Sequence, residues 1–300
     1  MVVFNQVIML FVIMAIGFIA GKVNIVDKKM SKKLSDLLIY ITMPLLIIIS
    51  YQREITNELL NTAIIILVGS FCIHLFQIFI SRIVTNRMKD PSKNVVRHAI
   101  AFANCGFMGF PVLASIYGDI GIFYGSIFCI AFNLIVWSYG YISFSDEKDM
   151  KKAVKKSLLT PAIISVVVGI VFFAFQIKII SPLYEALKSV GDMTTPLSMI
   201  IVGSVISRVK LKEIINDKRI YIVTVFRLLI IPFIVFGVLT LLKIKNPALS
   251  VCVLLSAMPA ATNTTIFAEK FDGDAALASK SVAFTTLLSI GSIMLFLSLI

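Results

Sequence analysis

Two short stretches hold the side chains with chemistry to offer, and both lie inside long apolar runs: Asn104-Cys105-Gly106-Phe107-Met108-Gly109-Phe110-Pro111 and Pro259-Ala260-Ala261-Thr262-Asn263-Thr264-Thr265. An asparagine amide offers two donors and an acceptor, and each threonine hydroxyl both donates and accepts. Gly106, Gly109 and Pro111 in the first stretch, and Pro259 in the second, interrupt a helix: proline removes a backbone donor and glycine costs helix propensity. At bilayer depth such a break is tolerated only where it faces protein or a water-filled cavity. The half-helix that restarts after it presents unpaired N–H groups, a setting for an anion. Binding of a small anion is therefore the chemistry expected of Asn104, Thr262, Asn263 and Thr264. Helix capping and local backbone satisfaction are the plain readings of the same side chains, and a lone proline kink serves packing alone. Two breaks in matching places favour a site.

Two more polar residues lie in apolar runs. Arg227 falls about seven residues into the run that starts at Ile220, only ~10 Å deep at 1.5 Å per residue. Snorkelling to the interface or pairing with a buried carbonyl is its plain role, and acting as counter-ion to a carboxylate is the functional one. His74 reads as an interhelical hydrogen-bonding residue, with proton relay as the functional alternative. Pro44 and Pro196 are expected to kink their helices. Gly17, Gly21, Gly169 and Gly203 permit close helix approach.

The elements that must position these residues are membrane spans. With 59% hydrophobic and 15% charged residues and a mean hydropathy of +0.99, the chain is far from soluble averages, in which about a quarter of residues are charged. The net charge of +12 is spread over short loops rather than gathered on one face, so it reports topology and not nucleic acid. Cys72, Cys105, Cys129 and Cys252 sit in apolar runs without metal-ligand spacing, which implies neither a disulfide framework nor a zinc site. The first apolar run has no basic region before it and no small-residue cleavage site after it, so it is expected to be a retained helix. Nothing resembles a P-loop, a Ser-His-Asp set or a paired intramembrane carboxylate. No catalysis, cofactor or metal is expected.

Ten spans of about 20 residues can be placed near 3–21, 34–51, 59–81, 95–117, 121–143, 158–177, 187–207, 220–242, 247–268 and 276–299. Of the basic residues, Arg53, Lys178, Lys188, Lys243 and Lys245 fall on one side and Arg227 inside a span; all others lie in the loops after spans 1, 3, 5, 7 and 9. By the positive-inside rule both termini are external, the membrane being the cytoplasmic one. The central basic run, Lys148 to Lys156, is expected to face anionic lipid. The halves also echo one another: Gly17 and Pro44 match Gly169 and Pro196 at an offset of 152, His74 matches Arg227 at 153, and Tyr117-Gly118-Asp119 matches Asp272-Gly273-Asp274 at 155. The broken spans are fourth in each set of five. Because five is odd, the second set enters from the opposite side, an inverted repeat that brings the two breaks together.

Phe102-Ala103-Asn104, Met108 to Leu113, Tyr117-Gly118-Asp119, Met43 to Leu46, Arg227-Leu228 with Pro232, and Pro259 with Ile266 to Lys270 together resemble the auxin efflux carrier family, which includes plant PIN carriers and bacterial malate and malonate permeases. The resemblance runs over nearly the whole chain. It implies an all-α polytopic fold of ten transmembrane helices in two inverted five-helix repeats, with helices 4 and 9 broken and crossing, as in bile-acid and sodium/proton transporters. Residues 1–58 and 158–212 would form a scaffold. Residues 59–144, broken at 104–111, and 213–300, broken at 259–265, would form a mobile transport domain, with 145–157 a cytoplasmic loop. The scaffold helices would offer the surface for a homodimer. Plant carriers have a substrate-contacting Asn after a proline at the start of span 6; here Pro161 is followed by Ala162, which argues against auxin as substrate. The expected function is elevator-type transport of small mono- or dicarboxylates. A cation/proton antiporter or sodium-coupled symporter of related fold is the alternative, and a membrane sensor the different class.

Overall fold

The computed structural model describes residues 2–88, 92–144, 155, 158–209 and 217–300; apart from Lys155, the central loop 145–157 with its basic run lies outside them. Among the described residues the protein is all helix, without a strand. In chain order the helices are α1 (Val2–Lys22), α2 (Lys28–Leu37), α3 (Met43–Ser50), α4 (Asn57–Val84), α5 (Ser92–Ala101), α6 (Phe110–Tyr117), α7 (Asp119–Ile135), α8 (Tyr141–Phe144), α9 (Pro161–Ala174), α10 (Leu183–Asp192), α11 (Thr194–Ile206), α12 (Lys218–Val225), α13 (Ile231–Leu241), α14 (Ala248–Ser256), α15 (Asn263–Lys270) and α16 (Ala275–Leu299).

Seven continuous helical stretches are long and apolar enough to cross a membrane: Phe4–Lys22, Lys28–Ser50, Asn57–Val84, Asp119–Phe144, Leu183–Ile206, Lys218–Leu241 and Ala275–Leu299. The protein is therefore a multi-pass membrane protein. Three of the ten expected spans are not among the seven. The fourth and ninth are each cut into two short helices, α5 with α6 and α14 with α15. The sixth, α9, is apolar but only 14 residues long.

Several of the long stretches are not pure α-helix, and proline explains where. Single π turns occupy Leu38–Thr42, Cys105–Gly109 and Phe226–Ile230. Each is followed at the same spacing by a proline in the first turn of the next helix: Pro44, Pro111 and Pro232. A proline there cannot donate to the carbonyl four residues back, so the chain widens just ahead of it. The wider bond is seen directly, since Met43 N–H donates to Leu38 O and Ile231 N–H to Phe226 O, five residues back. A fourth π turn, Val136–Gly140, has no proline after it.

By packing, the chain forms two compact units. The first comprises Met1–Ile66, Gly106–Ile130 and Leu158–Arg208. Within it α1 runs along α11, and Gly17 and Gly203 lie where a Cβ would overlap the facing backbone at Ile200 and Met14, so a larger residue at either would force the helices apart. Helix α3 packs on α9 and α10. Just beyond α3, buried Tyr51 bonds its hydroxyl to Ser126 Oγ at 2.9 Å and sets its ring edge-on to Phe123 at 4.8 Å. The second unit comprises Leu67–Cys105, Ala131–Ser157 and Val209–Ile300. In it α16 packs against α5, α12, α14 and α15. Asp274 caps α16, accepting Leu277 N–H at 3.0 Å, and also accepts from Ser92 Oγ at 3.1 Å, which fastens the start of α5.

Candidate functional site

The two interruptions meet within the second unit. After α5 the chain leaves the helix at Phe102–Asn104, and after α14 it does so from Ala257 to Thr262. The strands of chain pair antiparallel at Ala103 and Ala260: Asn104 N–H donates to Pro259 O at 2.7 Å, and Ala261 N–H to Phe102 O at 2.9 Å. Ala260 N–H is met by Thr285 Oγ1 of α16 at 3.1 Å. These three donors are thus satisfied by the other break or by a neighbouring hydroxyl, as burial requires.

Arg227 explains why α5 and α14 can end there. It lies in the π turn between α12 and α13 and is 0% exposed. Its guanidinium donates to Ile100 O at 2.9 Å and, through the other terminal nitrogen, to Ser256 O. Those carbonyls belong to the last turns of α5 and α14, where C=O groups lack intrahelical partners and the helix dipole is negative. One planar fork serves both ends. Gln77 of α4, with its amide turned to suit both neighbours, donates to Ala101 O at 2.6 Å and accepts from Arg227 at 3.2 Å. Of the plain readings of Arg227, carbonyl pairing is the one found; the side chain does not reach an interface.

The restarting end of the ninth span is different. Helix α15 begins at Asn263, and Thr262, at the cap position, makes no side-chain cap bond. Both side chains are partly exposed, and that of Asn263 makes no hydrogen bond among the described residues. Thr264, one residue on, is buried and bonds to His98 Nδ1 of α5 at 2.8 Å. Asn104 is also buried, at 4% exposure. The structure therefore brings together Asn104, Pro259, Thr262, Asn263, Thr264 and Arg227 around one bridge. His74 is turned into its own helix, its Nδ1 bonded to Ser70 O at 2.6 Å. Gly106, Gly109 and Pro111 belong to the first unit, on the π turn and the start of α6. Gly109 has ordinary helical angles, and a Cβ at Gly106 would meet only Met43 Cε at 3.5 Å. Pro111 sits in the first helical turn, where its missing donor is least costly.

His98 was not singled out by the sequence. Its ring is buried among Phe102, Phe144 and Phe267, with centroids 4.5, 5.5 and 5.3 Å away. Nε2 has no hydrogen-bond partner among the described residues and faces Gly140, where a Cβ would stand 3.1 Å from it. Gly140 thus makes the room that the imidazole occupies. The one signal available was rarity: the chain has 2 histidines, and this one lies six residues before Asn104.

Interrupted helices that satisfy one another across a buried bridge, among long apolar helices, define the class: a polytopic membrane protein. The particular family follows from comparison. A family described as membrane transport protein matches residues 2–153 and 147–297, and the chain belongs to it; this is the auxin efflux carrier family. The family is one of transporters, which makes this protein a membrane transporter. It is 24% identical over 301 residues to an uncharacterized transporter of Methanocaldococcus jannaschii, covering 97% of this chain and 96% of the relative. It is 24% identical over 295 residues to an uncharacterized transporter of Methanothermobacter thermautotrophicus, covering 96% and 95%.

Proposed function

We propose that this transporter carries small organic anions, mono- or dicarboxylates, across the cytoplasmic membrane by alternating access, with the anion held at the paired breaks. The observation that carries the reading is the unequal treatment of the helix ends there. The carbonyl ends of α5 and α14 are taken up by Arg227 and Gln77, whereas the amino end of α15 is uncapped and flanked by partly exposed Thr262 and Asn263. An anion at that end gains the positive pole of the helix and the Asn263 amide, the Thr264, Thr265 and Ile266 N–H groups being turned back onto Ala261 O and Thr262 O. Asn104 supplies a second amide beside the same bridge. On this reading Arg227, His74 and Thr264 are framework rather than ligands. Pro259 shapes the second break, and Gly106, Gly109 and Pro111 shape the restart of the fourth span.

The proposal extends to ten spans, counting the fourth and ninth as interrupted and the short α9 as the sixth. They form two inverted repeats, with helices 3–5 and 8–10 moving as an elevator past helices 1, 2, 6 and 7. Both termini are external, and the still helices offer a homodimer surface. A cation/proton antiporter or sodium-coupled symporter would need a carboxylate at depth to bind its ion; among the described residues no Asp or Glu is buried. The test is thermal unfolding of the purified protein against a panel of mono- and dicarboxylates, since a ligand at 100 times its Kd stabilises by ~2.7 kcal/mol. Stabilisation by a carboxylate that weakens in Asn263→Ala is expected. Stabilisation by sodium alone, or by no carboxylate, would overturn the reading.

A further inference from the structure

The first unit holds a cavity of about 320 Å³ that the breaks do not involve, bounded by the chain just after α3, the end of α9 and the segment that leads into α10. We propose that it is a second binding site, for a small monocarboxylate, built around Arg53.

Arg53 is the lining residue with both a fixed pose and donors to spare. Its Nε donates to Ser50 O at 2.6 Å, and the guanidinium lies over the Phe123 ring, 5.2 Å from the centroid. The terminal nitrogens have no hydrogen-bond partner among the described residues, so the half of the fork that takes a carboxylate in bidentate fashion is available. Burial pulls the Arg53 pKa below its ordinary value, opposed chiefly by the field of Asp119, which marks a charge short of compensation. Asp119 is already engaged by Lys188 at 3.4 Å.

The walls are built before any ligand arrives. Gln52 donates to Ile177 O at 3.2 Å and accepts from Ile179 N–H at 2.9 Å, and Gln176 donates to Phe173 O at 2.7 Å. These bonds tie the chain after α3 to the chain after α9. Lys178 lines the same cavity, is exposed and has no ion pair among the described residues. Glu54, exposed, is the one carboxylate of the lining. Two cations against one anion leave a single net positive charge, which suits a monocarboxylate better than a dicarboxylate. The volume sits at the lower end of small-molecule pockets, which run from about 300 to 1,000 Å³. Arg53 and Lys178 lie on the side poor in basic residues, the external one in the orientation proposed above, so the cavity would collect anions from outside the cell. The proposal does not depend on the anion site at the breaks.

The test places a reporter at the rim. Glu54→Cys, in a Cys72→Ser background, is labelled in the purified full-length protein with a sulfonate-bearing methanethiosulfonate, with acetate as the probe. Saturable protection by acetate is expected, with its apparent affinity falling tenfold or more, to about 100-fold, when Arg53→Gln is added, since the bidentate pair of charge-assisted hydrogen bonds is lost. Lys178→Gln should weaken protection too, and serves if Arg53→Gln fails to fold. Adding Asn263→Ala should leave protection unchanged. No protection, or protection indifferent to both Arg53 and Lys178, overturns the proposal. Protection lost with Asn263→Ala but kept with Arg53→Gln also overturns it, while leaving the anion site at the breaks standing.

Discussion

The two breaks are alike where their first helices end and unlike where their second helices begin. Both α5 and α14 stop under the same guanidinium, with Ile100 O and Ser256 O as its acceptors. Beyond the bridge the first break passes through buried Asn104 into a π turn with Pro111 after it, while the second passes through partly exposed Thr262 and Asn263 straight into α15. The lesson is a division of labour. Symmetry is kept where two negative helix poles need one cation, and given up where the polar side chains of the second break stay partly exposed.

Removing the shared cation should have the largest effect. Arg227→Gln strands two buried carbonyls and breaks two charge-assisted bonds, each worth ~1.5–3 kcal/mol, so a loss of at least ~3 kcal/mol is expected, read as a large fall in melting temperature and folded yield. Arg227→Lys should recover only part of it, since a point charge cannot fork to both ends. A melting temperature near wild type for Arg227→Gln would mean that the two ends are held by something else, and the likeness would dissolve.

The asparagines test the unlike half. Asn263→Ala is expected to weaken carboxylate binding about tenfold or more, one hydrogen bond to a charged group, with the melting temperature of the ligand-free protein nearly unchanged. Asn104→Ala is expected to lower both, because a buried side chain contributes to stability as well. Binding and melting measured on the same preparations decide it. If Asn104→Ala leaves stability intact while Asn263→Ala lowers it, the open end has been assigned to the wrong break.

How much of this could be read from the sequence differs from residue to residue. Apolar runs, loop charge and the glycine, proline and asparagine of the breaks are local signals, so the membrane class, the two interrupted spans and the position of Asn104 and Asn263 at the interruptions were legible. Where each break begins was not. Gly106 to Pro111 looked like the interruption, yet the chain leaves the helix before them, at Phe102, because the bridge to Ala260 supplies backbone partners there. The proline instead re-forms a helix behind a π turn. Arg227 was visible as an intramembrane charge, but its acceptors at residues 100 and 256 lie far away in sequence. His98 gave no pattern at all, since its place depends on Gly140 leaving space and on Thr264 arriving from another span.

The His98 and Thr264 contact offers a smaller perturbation of the same half. Thr264→Val keeps the shape and deletes the hydroxyl, leaving a buried imidazole nitrogen without its partner, at a cost of ~1–3 kcal/mol. Differential scanning fluorimetry should show the loss. Because this bond ties α15 to α5, the variant should also weaken the effect of Asn263→Ala on binding, as the asparagine is no longer held in place. Full additivity of the two substitutions would show that α15 keeps its position without His98.

The smallest expected effect lies at the far end of α5, where Arg219 joins the contact between Ser92 and Asp274 that fastens that end. Arg219 donates to Ser92 Oγ at 2.5 Å, approaches Asp274 Oδ2 at 3.6 Å and is itself gripped by Asp217, which accepts from its Nε at 2.8 Å and its terminal nitrogen at 2.6 Å. The side-chain bond to Arg219 holds the Asp217 pKa below the ordinary carboxylate value. A depressed folded pKa means that the contribution is fully present above the unfolded value of ~3.9 and is lost as pH falls through the folded one. The pair is partly exposed, so its worth is at most ~1 kcal/mol and is screened by salt. Asp217→Asn keeps an oxygen able to cap α12, where Arg219 N–H donates to it at 3.0 Å, and removes only the charge. The variant should therefore melt slightly below wild type at pH 7, with the difference shrinking in high salt and closing as the pH is taken below ~3.9. A difference that persists unchanged in acid would mean that Asp217 acts through its cap alone. The fastening at Ser92 would then owe nothing to charge, unlike the guanidinium clamp at the other end of the same helix.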